Sequence, residues 1–192
     1  MKHLGLISLS LLAVLGVSGC SNVLTATRDN PIETNQGTRT LGSALDDPLI
    51  ETRVSVNVAK ANPALENDSH IVVVSYNGVV LLAGQTPRAV LKTQAEQVAN
   101  QVQGVRRVHN ELQVLPPSSG LARSNDTWIT TKIKTQMLAN KDVPSSRIKI
   151  VTENGSVFLM GLVTRQEAQN AAQVAQGTAG VQRVVMLFEY LN

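Results

Sequence analysis

Cysteine is nearly absent: the 192-residue chain has one, Cys20. A single thiol excludes an internal disulfide framework and a cysteine-built metal site. Histidine is almost as scarce, with His3, His70 and His109. No two of them stand at a ligand spacing such as His-x-x-x-His, so no metal site is expected. There is no Gly-x-Ser-x-Gly elbow, no glycine-rich phosphate loop and no catalytic cysteine. Asp46-Asp47 reads as a helix cap rather than an acid–base pair, because acids in a first turn complement the helix dipole. The expectation is a chain with no catalytic residue and no cofactor, hence not an enzyme. Aromatic residues make up 3% of the chain against 43% apolar residues in all, so any core is built from Val, Leu, Ile and Ala. The net charge of +3 is too small for a strong nucleic-acid binder.

The lone cysteine stands where it has a use. Lys2 and His3 form a polar start, Leu4 to Val17 is nearly all apolar, and Ser18-Gly19 supplies small residues before Cys20. An apolar run of about 14 residues is too short to span a bilayer and reads as a signal peptide over residues 1–19. Val17-Ser18-Gly19-Cys20 resembles the bacterial lipobox. That resemblance implies cleavage before Cys20 and acylation of it, which makes Cys20 the lipid anchor. Ser21 follows it, not the Asp that commonly retains lipoproteins in the inner membrane, so the implied address is the periplasmic face of the outer membrane. Several acyl chains, at roughly 0.8 kcal/mol per buried CH₂, make a lasting anchor. Any lipid contact by the folded part must then serve another purpose.

After a stretch without periodicity (20–45, expected as the acylated tether) comes an internal repeat. Tyr76-Asn77-Gly78-Val79-Val80-Leu81-Leu82-Ala83-Gly84 matches Glu153-Asn154-Gly155-Ser156-Val157-Phe158-Leu159-Met160-Gly161. Gly104-Val105-Arg106-Arg107-Val108 matches Gly180-Val181-Gln182-Arg183-Val184. Leu49-Ile50 with Val54 and Val58 matches Trp128-Ile129 with Ile133 and Met137. The expected domains are 46–115 and 124–192, with a linker over 116–123. Each copy predicts a helix capped by Asp46/Asp47 or Asn125/Asp126, with Pro48 in the first turn of the first copy. An Asn-Gly hairpin follows, its second strand closed by Gly84 or Gly161. A second helix carries Ala89, Ala95, Val98 and Val102, or Ala168, Ala171, Ala172 and Ala175, and stops at Gly104 or Gly180. A last strand completes an αββαβ unit, in which the crossover helix predicts a small three-stranded mixed sheet. The fold class is α+β, two tandem units with two helices packed on each sheet.

This repeated αββαβ unit, with its Asn-Gly-Val-Val-Leu-Leu-Ala-Gly core and its Gly-Val stretch after the second helix, resembles the BON domain (bacterial osmotic-shock-protein and nodulation). Two such units behind a lipobox resemble the dual-BON outer-membrane lipoproteins. The resemblance implies phospholipid binding and support of envelope integrity. The alternative is a role as a protein-interaction adaptor for outer-membrane assembly or division machinery.

The residues themselves point to one surface. Net charge is −1 over 46–115 and +2 over 124–192, which favours the second copy for anionic partners. On a helical wheel of 126–140, Ile129, Ile133 and Met137 share the stripe expected to face the sheet. Trp128, Thr131, Thr135 and Leu138 fall on the far side, flanked by Lys132 and Lys134. Tryptophan suits a membrane interface and lysine stems can lie along apolar surface, so these six residues are the candidate site for anionic phospholipid such as phosphatidylglycerol or cardiolipin. The other reading packs Trp128 between the domains. The matching face of the first copy, Leu49, Thr52, Val56 and Ala59 with Arg53 and Ser55, lacks the tryptophan and one cation. The strand runs Ile71–Val74 and Val79–Leu82 are apolar without alternation and predict cover on both faces, from the second domain or another protein.

Overall fold

The computed structural model describes residues 40–191. The predicted signal peptide, Cys20 and residues 21–39 of the predicted tether lie outside the described residues. Helix α1 (Leu41–Ala61) and the short α2 (Pro63–Asn67) lead into the hairpin β1 (His70–Tyr76) and β2 (Val79–Thr86). Helix α3 (Ala89–Asn100) crosses to β3 (Arg107–Asn110) and β4 (Gln113–Val114). The second copy runs α4 (Gly120–Ala139), a 3-10 turn (Ser145–Arg147), β5 (Ile148–Glu153), β6 (Ser156–Val163), α5 (Arg165–Gln176) and β7 (Arg183–Tyr190). In each sheet the hairpin is antiparallel and the last strand joins its second strand in parallel. The first sheet differs in that its last strand breaks at Glu111-Leu112, so β3 and β4 pair with β2 separately.

Three packed clusters explain the apolar strand runs. Ile50, Val54 and Val58 of α1 and Leu91, Ala95 and Ala99 of α3 cover one face of the first sheet, meeting Val80 and Leu82. Ile129, Ile133 and Met137 of α4 and the four predicted alanines of α5 cover one face of the second, meeting Val157 and Leu159. The two remaining faces meet each other. Val74, Tyr76, Val79, Leu81 and Ala83 pack against Phe158, Met160 and Leu187. Both faces of β2 and β6 are thus dry, and domain 2 supplies the second cover that the sequence left open. The order is helices, sheet, sheet, helices, which puts α1 and α4 on opposite outer layers, on the order of 30 Å apart at about 10 Å per packed layer.

Charged pairs ring the interface. Lys149 Nζ lies 2.7 Å from Glu51 Oε1, Arg106 2.9 Å from Glu189, and Arg183 3.5 Å from Glu111. Asn77 Nδ2 also donates to Glu189 Oε2 at 2.8 Å.

Several local expectations are corrected. The first helices start earlier, capped by Thr40 and Ser119, whose hydroxyls accept from the Ser43 and Ala122 amides. Residues 41–45 of the expected tether and 120–123 of the expected linker are therefore helical. Asp47 and Asp126 are not caps, and Pro48 lies inside α1 rather than in its first turn. Gly84 and Gly161 lie within their strands. Gly104 and Gly180 do not end helices, since α3 and α5 stop at Asn100 and Gln176. They lie against the first helices: a Cβ on either would come within 3.0 Å of Ile50 Cδ1 or Ile129 Cδ1. Of the residues expected in the second helix of the first copy, Ala89 opens α3 and is exposed, and Val102 lies past its end at Asn100.

Candidate functional site

The amphipathic order of α4 fixes what it can present. Ile129, Ile133 and Met137 are at most 1% exposed, so they pin one face to the second sheet. The opposite face then points outward with its apolar residues uncovered. Trp128 is 60% exposed and Leu138 74%. Leu121, one heptad before Trp128, is 82% exposed and extends the same stripe. The sequence reading missed it because it fell in the expected linker; the Ser119 cap and the seven-residue spacing from Trp128 were the available signals. From Leu121 to Leu138 the stripe runs about 25 Å at 1.5 Å per residue. Trp128 takes no part in the core between the sheets, which removes interdomain packing as its role.

The remaining site residues divide around this stripe. Trp128, Thr131, Lys132, Thr135 and Gln136 line a shallow groove of about 350 Å³. Lys134 and Leu138 line another of about 150 Å³, with Met137, Ser145, Ser146 and Ile148. The helix thus brings the six predicted residues onto one outer layer but does not converge them on one pocket. Thr131 and Thr135 donate their hydroxyls to the carbonyls four residues back, at 2.9 and 3.0 Å. Lys132 is tied to its own domain: Nζ donates to the Ala179 carbonyl at 2.9 Å and sits 5.8 Å from the Trp128 ring centre. That contact steadies the indole on the surface. Lys134 stands exposed on the other flank.

Behind the stripe is a second set of residues that the sequence reading assigned to capping. Asp126, 4% exposed, points from α4 into the Asn154-Gly155 turn. Its Oδ2 accepts from the Asn154 amide at 2.8 Å and its Oδ1 from the Gly155 amide at 2.9 Å. Both turn residues have positive φ, 47° and 71°, as a type I′ hairpin requires. Asp47 does the same in domain 1, accepting from Asn77 N at 2.8 Å, Gly78 N at 3.0 Å and Ser75 Oγ at 2.7 Å. A buried carboxylate thus fixes each first helix to its hairpin.

The histidines serve no common centre. His109 is half-buried on β3, where burial, helped by Arg107, pushes its pKa down against the opposing pull of Glu111. His70 lies at the start of β1 and faces Glu153. Among the described residues no three His, Cys, Asp or Glu side chains are placed to hold a metal ion, and no helix is long and apolar enough to cross a membrane.

The BON domain model matches residues 46–116 and 125–192. The chain belongs to the BON family. It is 39% identical over 154 residues to the outer membrane lipoprotein DolP of Haemophilus influenzae, covering 80% of this chain and 79% of that protein. A 21 kDa hemolysin of Actinobacillus pleuropneumoniae is 38% identical over the same shares. The osmotically inducible protein Y of Escherichia coli is 29% identical over 189 residues, 93% of each chain. This BON protein is therefore a dual-domain lipoprotein of the DolP kind, and its localisation is the outer membrane, as the lipobox and Ser21 imply.

Proposed function

We propose that this BON protein is a non-enzymatic phospholipid-binding lipoprotein that supports envelope integrity, and that α4 reads anionic lipid while Cys20 holds the chain to the membrane. The observation that carries the reading is the uncovered stripe Leu121, Trp128 and Leu138 on an outer layer, with Lys134 beside it. A helix lying in the interface buries its apolar residues at the headgroup boundary, and each nearby cation adds about 1 kcal/mol on an anionic leaflet. Such contact is weak and reversible, which suffices for a chain already tethered. Phosphatidylglycerol and cardiolipin offer the phosphates that the lysines fit.

Flotation of residues 22–192, lacking the anchor, with vesicles of zwitterionic lipid alone or mixed with phosphatidylglycerol or cardiolipin tests this. The expected result is flotation with anionic vesicles only. Trp128→Ala and a Lys132/Lys134 double alanine variant should stay behind while remaining folded. Lys134→Ala alone should weaken partition about fivefold, the equivalent of about 1 kcal/mol. Equal flotation of all variants would remove α4 as the lipid reader.

One further observation favours the adaptor role in addition. The outward face of α1 exposes Leu45 (72%), Leu49 and Val56 (53% each), on the layer opposite α4. With α4 on the membrane, that face points into the periplasm, where outer-membrane assembly or division proteins could dock. Photocrosslinking from position 49 in cells, compared with position 128, tests it: protein adducts are expected from 49.

A further inference from the structure

The outer edge of the second sheet is open. Its strand order is β5-β6-β7, and β7 pairs with β6 over all of Arg183–Tyr190, on one side only. Among the described residues no strand pairs with its other side. A free edge is a row of unpaired N–H and C=O groups, which proteins protect with breaks, charges or cover. The other edges carry such devices. Glu51 of α1 accepts from the Ser75 amide of β1 at 2.8 Å. The last strand of the first sheet is cut at Glu111-Leu112 into β3 and β4. Strand β5 carries Lys149. Strand β7 keeps its charges near its ends, at Arg183 and Glu189, and Val184–Phe188 between them holds no charge, glycine or proline. Met186, in the middle of that run, is 49% exposed.

We propose that β7 pairs antiparallel with β7 of a second copy of this chain. The strand's own sequence sets the register. Val185 and Leu187 join the layer between the sheets, whereas Val184 and Phe188 join the core under the helices. Opposed residues of an antiparallel pair lie on one face, so only registers that keep this alternation are allowed. One of them centres Met186 on Met186 of the second copy. It sets Arg183 against Glu189, Val184 against Phe188 and Val185 against Leu187, each of them twice. Sliding by two residues sets Arg183 against Leu187, or Glu189 against Val185, a charge against an apolar side chain. Opposite charges directly across a strand pair stabilise it. Arg183 also reaches Glu111 at 3.5 Å and Glu189 takes Arg106 at 2.9 Å. A guanidinium with five N–H groups and a carboxylate with two oxygens can each serve a second partner.

A second copy suits this edge because both chains are anchored in one membrane. The twofold axis between two antiparallel edge strands stands perpendicular to their sheet. The joined sheet has six strands, three from each copy, and α4 of both copies lies on the same side of it. A single strand pair is small beside the roughly 1,200–2,000 Å² of stable complexes. Anchoring concentrates the chains on the membrane and makes such a weak pair effective. Pairing then presents two α4 helices to one membrane. That consequence rests on α4 being the lipid reader; the pairing itself does not.

The test is thiol crosslinking of the full mature lipoprotein in isolated outer membranes. Cys20 is the only cysteine of the chain and its thiol is taken by the anchor, so Met186→Cys supplies a single free thiol. A short bismaleimide should join two copies through position 186 and give an adduct of twice the chain mass. Val90→Cys, at a position 65% exposed on α3, should give little adduct. Arg183→Glu in the Met186→Cys background sets acid against acid at both ends of the pair and should cut the adduct about fivefold. Adding Glu189→Arg should restore it, because each acid then opposes a cation again, whereas damage to the fold would grow with the second change. Absence of an adduct at position 186, an equal adduct from Val90→Cys, an adduct with a different protein in its place, or an adduct indifferent to the charge exchange would each overturn the proposal. Every variant keeps its anchor, so the adducts report on β7 whether or not α4 reads lipid.

Discussion

Asp126 does at the scale of one residue what no backbone pairing can do. It binds two amides of a turn whose N–H groups point away from the ladder, and it does so from a helix in another layer. Charge-assisted bonds of this kind are about twice as strong as neutral ones. Asp126→Ala leaves two amides of the turn unpaired, that of Gly155 buried, and urea unfolding should report a loss of about 2–3 kcal/mol. Asp126→Asn retains one acceptor but turns an N–H₂ toward the other amide, so it should lose about half as much. Glu167 closes the capping box of α5 with Thr164. Burial acts to raise its pKa, but the Thr164 amide and hydroxyl and the Arg147 guanidinium together outweigh that and hold it low. A lowered native pKa stabilises above the ordinary carboxyl value and is lost as pH falls through the native one. The wild type should therefore lose stability on acidification, and Glu167→Gln should flatten that part of the stability–pH profile.

At the scale of an element, α4 divides its residues between two employments. The Ile129–Ile133–Met137 face is closed by the sheet and α5, so Ile133→Ala should cost about 2–4 kcal/mol in unfolding free energy. The Leu121–Trp128–Leu138 face touches little of the protein. Leu121→Glu and Leu138→Glu should change stability by less than about 0.5 kcal/mol. If α4 reads lipid, the same two variants should abolish flotation with anionic vesicles. That separation between stability and partition is what a surface helix predicts and a core helix does not. The first helix of domain 1 shares the architecture, with its buried face on the sheet and Leu49 and Val56 outward, but has no tryptophan and fewer cations.

For the whole molecule, the decisive feature is the dry layer between the sheets. Phe158 (2% exposed), Leu81 (0%) and Met160 (1%) are among its most buried residues. Two small domains that share such a layer should unfold together. Calorimetry should give one transition for the mature chain, and Leu81→Asp, which buries an unpaired charge in the layer, should split or abolish it. Domain 1 produced alone should expose Val74, Tyr76, Val79 and Leu81 and bind a hydrophobic dye or aggregate.

Much of this was legible in the chain itself. Period and repetition are local, so the two αββαβ copies, the Asn-Gly turns and the inward Ile129–Ile133–Met137 stripe followed from residue spacing alone. The runs Ile71–Val74 and Val79–Leu82 announced cover on both faces, since a strand wetted on one side alternates. Which surface supplied that cover was not legible, because alternation records burial but not the identity of the neighbour; only the packed layers show the second sheet there. The capping role expected of Asp47 and Asp126 failed for a related reason. An acid near a helix start satisfies local rules as a cap, whereas its actual partners lie about thirty residues away, with Asp126 and Gly155 29 apart. The exposure of Trp128 and the recruitment of Leu121 were likewise settled by tertiary structure, which alone decides which side of an amphipathic helix finds a partner and which is left outward.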